Sequence, residues 1–164
     1  MLLLFDLDDT LYSRSEQLSD NYTEGDLAHI TLFPGAANLL KKNLLNQRQM
    51  TKVLVTKGED YLQQQKIKNL GIKSHFQKIL ICPRDEDKKQ CFREAMKEFP
   101  DKDVWVIGNR LDSEIRYGNE LGLKTIYLRH GKYGSLQPKD VYEVPDYEVE
   151  RFGDIVRILQ EVPS

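Results

Sequence analysis

Five short, almost uninterrupted apolar runs recur along the chain: Leu2 to Leu7, Lys52 to Thr56, Lys78 to Cys82, Val104 to Ile107 and Thr125 to Leu128. A strand with one wet face alternates apolar and polar residues, so runs this uniform point to strands buried on both faces, as in parallel sheets. Between them the period changes. Ala37, Leu40 and Leu44 keep helical spacing, as do Phe92, Ala95, Met96 and Phe99, and near the end Ile155, Ile158, Leu159 and Val162. Residues 59–70 carry a weaker stripe, Leu62, Ile67 and Leu70, closed by Gly71, and a last short strand is expected after Pro145.

Parallel neighbours need crossovers, and crossovers are right-handed. The alternation therefore predicts an α/β fold, a doubly wound, mostly parallel, Rossmann-like sheet with helices on both faces. At 164 residues and 40% hydrophobic, the chain is expected to form a single domain over 1–164. Lys and Arg total 24 against 26 Asp and Glu, a net charge of -2, which leaves no basic surplus for general nucleic-acid or anionic-lipid binding. The opening Met1 to Phe5 is cut short by Asp6, Asp8 and Asp9 before it reaches signal or membrane-spanning length. Cys82 and Cys91 lack metal-ligand spacing and read as packing residues, and a cytoplasmic location is expected. Residues 13–31 are polar and irregular and read as a loop.

In a doubly wound sheet the ligand crevice lies beyond the carboxyl ends of the strands, so the residues that follow each apolar run carry the functional information. Asp6, Asp8 and Asp9 follow the first run. Clustered acids at a buried sheet edge repel one another and raise each other's pKa, a cost that a bound cation offsets; the alternative is a helix cap or Asx turn using Asp8 or Asp9. Thr56, Lys57 and Gly58 follow the second run at the start of a helix, an arrangement that suits either a phosphate or an ordinary cap. Gly108, Asn109, Asp112 and Glu114 follow the fourth, again as a tight turn with oxygen donors or a capped helix.

In order and position these segments resemble the haloacid dehalogenase-like superfamily of phosphotransferases. Asp6-Leu7-Asp8-Asp9-Thr10 matches its DxDxT motif, Thr56 its second motif, and Lys88 or Lys89, with Lys88 favoured, its third. The fourth motif departs: Gly108 is followed by Asn109 where the family has an acid, with Glu114 at the second acid position. The resemblance implies Asp6 as nucleophile, Asp8 as acid and base, and Thr56, Lys57, Lys88 and Lys89 as the phosphate-binding candidates. It also implies Mg²⁺ held among Asp6, Asp8, Asn109 and Glu114. An amide in place of a carboxylate removes one negative charge and should weaken that metal site.

An acid at position 8 argues against dehalogenation, because the dehalogenases of the superfamily lack it. Only residues 12–33 separate the first motif from Pro34-Gly35, room for a short flap and not for the cap domain that phosphomutases use to exclude water. The expected function is thus a capless, Mg²⁺-dependent phosphatase acting through an aspartyl phosphate on a phosphorylated substrate, small or macromolecular, with a second copy of the chain as one source of a lid. Two other classes compete: a regulatory domain weakened by Asn109, and a receiver-like domain, disfavoured because Asp6 and Asp8 follow the same strand. Arg14, Arg110, Arg129, His130 and Lys132 are secondary anion-binding candidates. Asp112 reads as a helix cap before a substitute ligand, and His29, His75 and His130 have no paired metal-ligand spacing.

Overall fold

The computed structural model describes residues 1–101 and 103–162. Its strands are β1 (Leu2–Phe5), β2 (Leu44–Leu45), β3 (Arg48–Gln49), β4 (Thr51–Lys57), β5 (Lys78–Cys82), β6 (Val104–Gly108), β7 (Lys124–Leu128) and β8 (Tyr147–Val149). Its helices are α1 (Arg14–Gln17), α2 (Ala36–Lys41), α3 (Asp60–Asn69), α4 (Lys88–Glu98), α5 (Arg116–Glu120) and α6 (Phe152–Glu161). Six strands form one sheet in the order β5-β4-β1-β6-β7-β8, every neighbouring pair parallel. The chain winds outward from β1 to β5, then returns to β6 on the other side, so the switch point lies between β1 and β6.

Alternation along the strands feeds two cores. Leu3, Phe5, Leu54, Trp105 and Ile107 face α2, α3 and α6, while Leu2, Leu4, Val53, Val55, Val104 and Val106 face α4 and α5. β1 is at the centre, with all four of its residues fully buried. Burial on two faces is why these strands are apolar throughout, and it confirms the expected doubly wound α/β class. Cys82 joins the second core as a free thiol, its Sγ 2.8 Å from that of Cys91.

Three local expectations need correction. The helix through Ala37 and Leu40 ends at Lys41, and Leu44 lies in the β2–β3 hairpin, 60% exposed. Positive φ at both Asn46 (49°) and Gln47 (65°) makes this a two-residue hairpin turn of the kind that favours the sheet's own twist. The stretch 13–31 is not wholly irregular: α1 is capped by the Ser13 hydroxyl, which accepts from Glu16 N, and a 3₁₀ segment spans Glu24–His29. Asp112 does not cap a helix. It lies within a single π turn, Leu111–Ile115, and its carboxylate takes the Arg110 guanidinium. No second domain interrupts the connection from β1 to β4, and among the described residues no helix is long and apolar enough to cross a membrane.

Candidate active site

Asp6 emerges at the end of β1 and Asn109 at the end of β6, so the two flank the switch point. Between them opens a cleft of about 220 Å³ whose walls include Asp6, Asp8, Lys57, Lys88, Asn109 and Glu114. The Asp6 carboxylate is buried; Thr10 Oγ1 donates to its Oδ2 at 3.1 Å and Lys88 Nζ to its Oδ1 at 2.9 Å. Burial above all, with Glu114 and Asp8 adding to it and Lys88 opposing it, leaves the Asp6 carboxyl pushed up to about 7. Lys88 is itself buried between Asp6 and Glu114. Burial works against its charge, but the two carboxylates outweigh that and raise its pKa.

Glu114 serves Lys88. Its Oε1 also accepts from Ser113 Oγ at 3.1 Å and its Oε2 from Arg110 N at 3.1 Å, so both oxygens are committed to protein donors. Glu114, expected among the metal ligands, stands in this structure as counter-ion to the lysine. Its placement depends on Gly108, where a Cβ would lie 2.5 Å from Glu114 Cβ and 2.8 Å from its Oε2.

Asp8 is held by three donors. Tyr12 Oη (2.6 Å) and Lys66 Nζ (2.8 Å) reach Oδ1, and Gln63 Nε2 (3.0 Å) reaches Oδ2. Burial opposes its ionisation, yet the Lys66 ammonium and these hydrogen bonds keep the carboxyl below the ordinary carboxylate range. Asp9 takes the structural role: at φ 57° it accepts from Ser15 N at 2.8 Å and Ser15 Oγ at 2.6 Å, which ties the strand end to α1. Gly131, at φ 72°, seats the loop after β7 on the same point; a Cβ there would come within 2.5 Å of Asp9 Oδ2 and 2.7 Å of Ser15 Oγ.

The phosphate-binding candidates separate. Lys88 and Lys57 line the cleft, whereas Lys89 turns to Glu120 on α5 (2.6 Å), and Thr56 lies beneath the surface with Oγ1 accepting from Gln63 Nε2 at 2.7 Å. Lys88 is thus the lysine of the site, and Lys89 is withdrawn from it. Arg14, Arg110 and Lys132 also line the cleft. Arg110 is already committed to Asp112 and Asp85 and stacks over the Tyr133 ring at 4.6 Å. Arg129 pairs with Glu148, and His130 bonds Ser13 Oγ at 2.7 Å; neither lines the cleft. Lys66 and Gln63, which sit within α3, escape a sequence reading that looks only after strands.

The donors suit a hard cation. Asn109 commits its amide nitrogen to His130 O at 3.4 Å, so the amide oxygen is the atom it can offer the cleft beside the Asp6 carboxylate. Few carboxylates, supplemented by neutral oxygens and water, are the usual protein contribution to bound Mg²⁺. Among the described residues there is no group of three or more His, Cys, Asp or Glu side chains arranged for a metal, so the fit rests on this mixed set.

Residues 20–122 match the haloacid dehalogenase-like hydrolase family. The chain belongs to that family. The match begins after the acidic cluster and includes Lys66, Lys88 and Glu114. This haloacid dehalogenase-like chain is 32% identical to a glyceraldehyde 3-phosphate phosphatase of Methanopyrus kandleri over 114 residues, 66% of this chain and 48% of that protein. Similarity to the protein of the same name from Pyrococcus furiosus is 27% over 144 residues, 85% of this chain and 59% of that one. The chain thus spans about half the length of these relatives. Among solved structures, the HAD hydrolase YfnB of Bacillus subtilis, crystallised with magnesium, superposes with a TM-score of 0.70 at 18% identity, covering 98% of each chain. That likeness concerns the fold.

Proposed function

We propose that this haloacid dehalogenase-like chain is a Mg²⁺-dependent phosphomonoester hydrolase that works through an aspartyl phosphate on Asp6. The observation that carries the reading is the Asp6–Lys88–Glu114 constellation at the switch point: a buried carboxylate beside a buried ammonium, opening on a polar cleft. The glyceraldehyde 3-phosphate phosphatases it resembles support the same reaction class.

In this reading Asp6 attacks phosphorus in line, with Thr10 holding the non-attacking oxygen of the same carboxylate. Lys88 contributes fixed positive charge to the phosphoryl oxygens, and Glu114 keeps Lys88 in place. Asp8, harder to ionise once the negatively charged phosphate lies beside it, gives a proton to the leaving oxygen and then takes one from the water that cleaves the acyl phosphate. Mg²⁺, when bound by Asp6, the Asp8 main-chain carbonyl and Asn109, supplies the remaining charge neutralisation. Lys57, which lines the same cleft, would add a positive charge toward a phosphorylated substrate.

The test is phosphate release from an aryl phosphate with and without Mg²⁺, comparing the native protein with Asp6→Asn. Metal-dependent turnover abolished by the substitution is the expected result. Asn109 favours a second reading, a binding or regulatory domain that keeps the cleft without efficient turnover, and a native protein inactive under both conditions would support it.

A further inference from the structure

We infer that Lys66, with Gln63 and Tyr12, is a positioning residue that holds the Asp8 carboxylate in one orientation on the cleft, an inference that rests on the phosphomonoester hydrolase reading. Lys66 and Gln63 stand one turn apart on the same face of α3, and both are buried, at 3% and 1% exposure. Between them they hold both oxygens of Asp8, Lys66 on Oδ1 at 2.8 Å and Gln63 on Oδ2 at 3.0 Å, while Tyr12 also donates to Oδ1 at 2.6 Å. A carboxylate held through both oxygens by three donors cannot rotate about its Cβ–Cγ bond without losing donors. The Asp8 side chain keeps 27% of its surface exposed, and it lines the cleft.

Burying an ammonium costs solvation that an apolar side chain of the same length would not lose. Among the described residues, Asp8 is the only acid paired with Lys66, whose other close contact is the Tyr22 ring at 5.0 Å. The cation is therefore explained by Asp8 and not by packing. Gln63 extends the device, since the same amide nitrogen donates to Thr56 Oγ1 at 2.7 Å and so joins the end of β4 to the acid after β1.

The consequence lies in substrate dependence. An alkyl phosphate needs a proton delivered to its departing oxygen, and an aryl phosphate needs one far less, so a misplaced Asp8 penalises the first selectively. With Mg²⁺ present, Lys66→Met is expected to lower kcat on glycerol phosphate by roughly tenfold or more, the scale of proton-transfer effects. The loss on nitrophenyl phosphate should be several-fold smaller, with KM little changed on either, and Lys66→Arg should recover part of the loss. Tyr12→Phe, which removes one hydrogen bond and keeps the buried ring, should show the same selectivity more weakly. Equal losses on both esters in Lys66→Met and Tyr12→Phe, or no loss in either, would overturn the inference and leave the hydrolase reading standing. A native protein inactive on both esters overturns that reading instead. The inference is then judged on the crystal structure of Lys66→Met, where an Asp8 carboxylate unmoved from its native orientation rejects it and a rotated one upholds it.

Discussion

In the folded chain Asp6 titrates at about 7, against an ordinary value of 3.8, because burial penalises its charge more than Lys88 relieves it. The native state therefore holds a proton that the unfolded chain has released, and ionisation of Asp6 opposes folding. That penalty grows as pH rises from about 4 to about 7 and is constant above. Asp6→Asn should stabilise the metal-free protein, hardly at all near pH 4 and most above pH 7, by at most ~4 kcal/mol, the equivalent of the displacement. Urea titrations in chelator at pH 4 and pH 8 check this, and a margin that does not widen with pH refutes it. Asn109→Asp adds a carboxylate to a donor set that now offers only the Asn109 amide oxygen there, and calorimetry should show Mg²⁺ binding tightened by roughly tenfold, in keeping with the sensitivity of such sites to ligand charge. Equal or weaker affinity would remove Asn109 from the metal site. Which lysine serves the site was only half legible at this scale. Lys88 and Lys89 are adjacent and alike, and only the helix rotation, which turns one toward Asp6 and the other toward Glu120, separates them.

The turn after β6 shows how tightly an element can depend on one missing atom. With an alanine at position 108 the new methyl would meet Glu114 Cβ and Cγ at 2.5 and 2.6 Å, and Glu114 has no free direction because Lys88, Ser113 and Arg110 N hold it. Gly108→Ala is expected to cost ~1–3 kcal/mol, the usual range for overpacking a buried site, and to lower turnover by releasing Lys88. A melting temperature and rate equal to the native protein's would contradict this account. Elements also explain what the sequence conceals. The strands read clearly because burial on both faces leaves them uniformly apolar. The weak stripe of α3 was itself the signal of its function: the inward face carries Gln63 and Lys66 where a packing helix would carry leucines. The β2–β3 hairpin stayed hidden because its turn is Asn46-Gln47, without the glycine that normally marks positive φ.

Across the whole molecule, the doubly wound parallel class and a cleft beyond the carboxyl ends of the strands followed from the alternation of patterns, while the strand order β5-β4-β1-β6-β7-β8 came only with the structure. What does not follow from pattern is which polar residues are withdrawn into the interior, because Lys66 looks like a solvated charge until the fold brings Asp8 to it from a distant segment. The same applies to the stretch between β1 and α2. It packs on α3, with Tyr61 Oη donating to Glu24 Oε1 at 2.7 Å, and it is pinned from above by the β7 loop, which at Gly131 presses on Asp9 and Ser15 with no space for a methyl group. Anchored at these points, the stretch frames one edge of the cleft. Under the hydrolase proposed above, the doorway it borders would have to be covered against bulk solvent by the molecule that carries the phosphate in, or by a second copy of the chain.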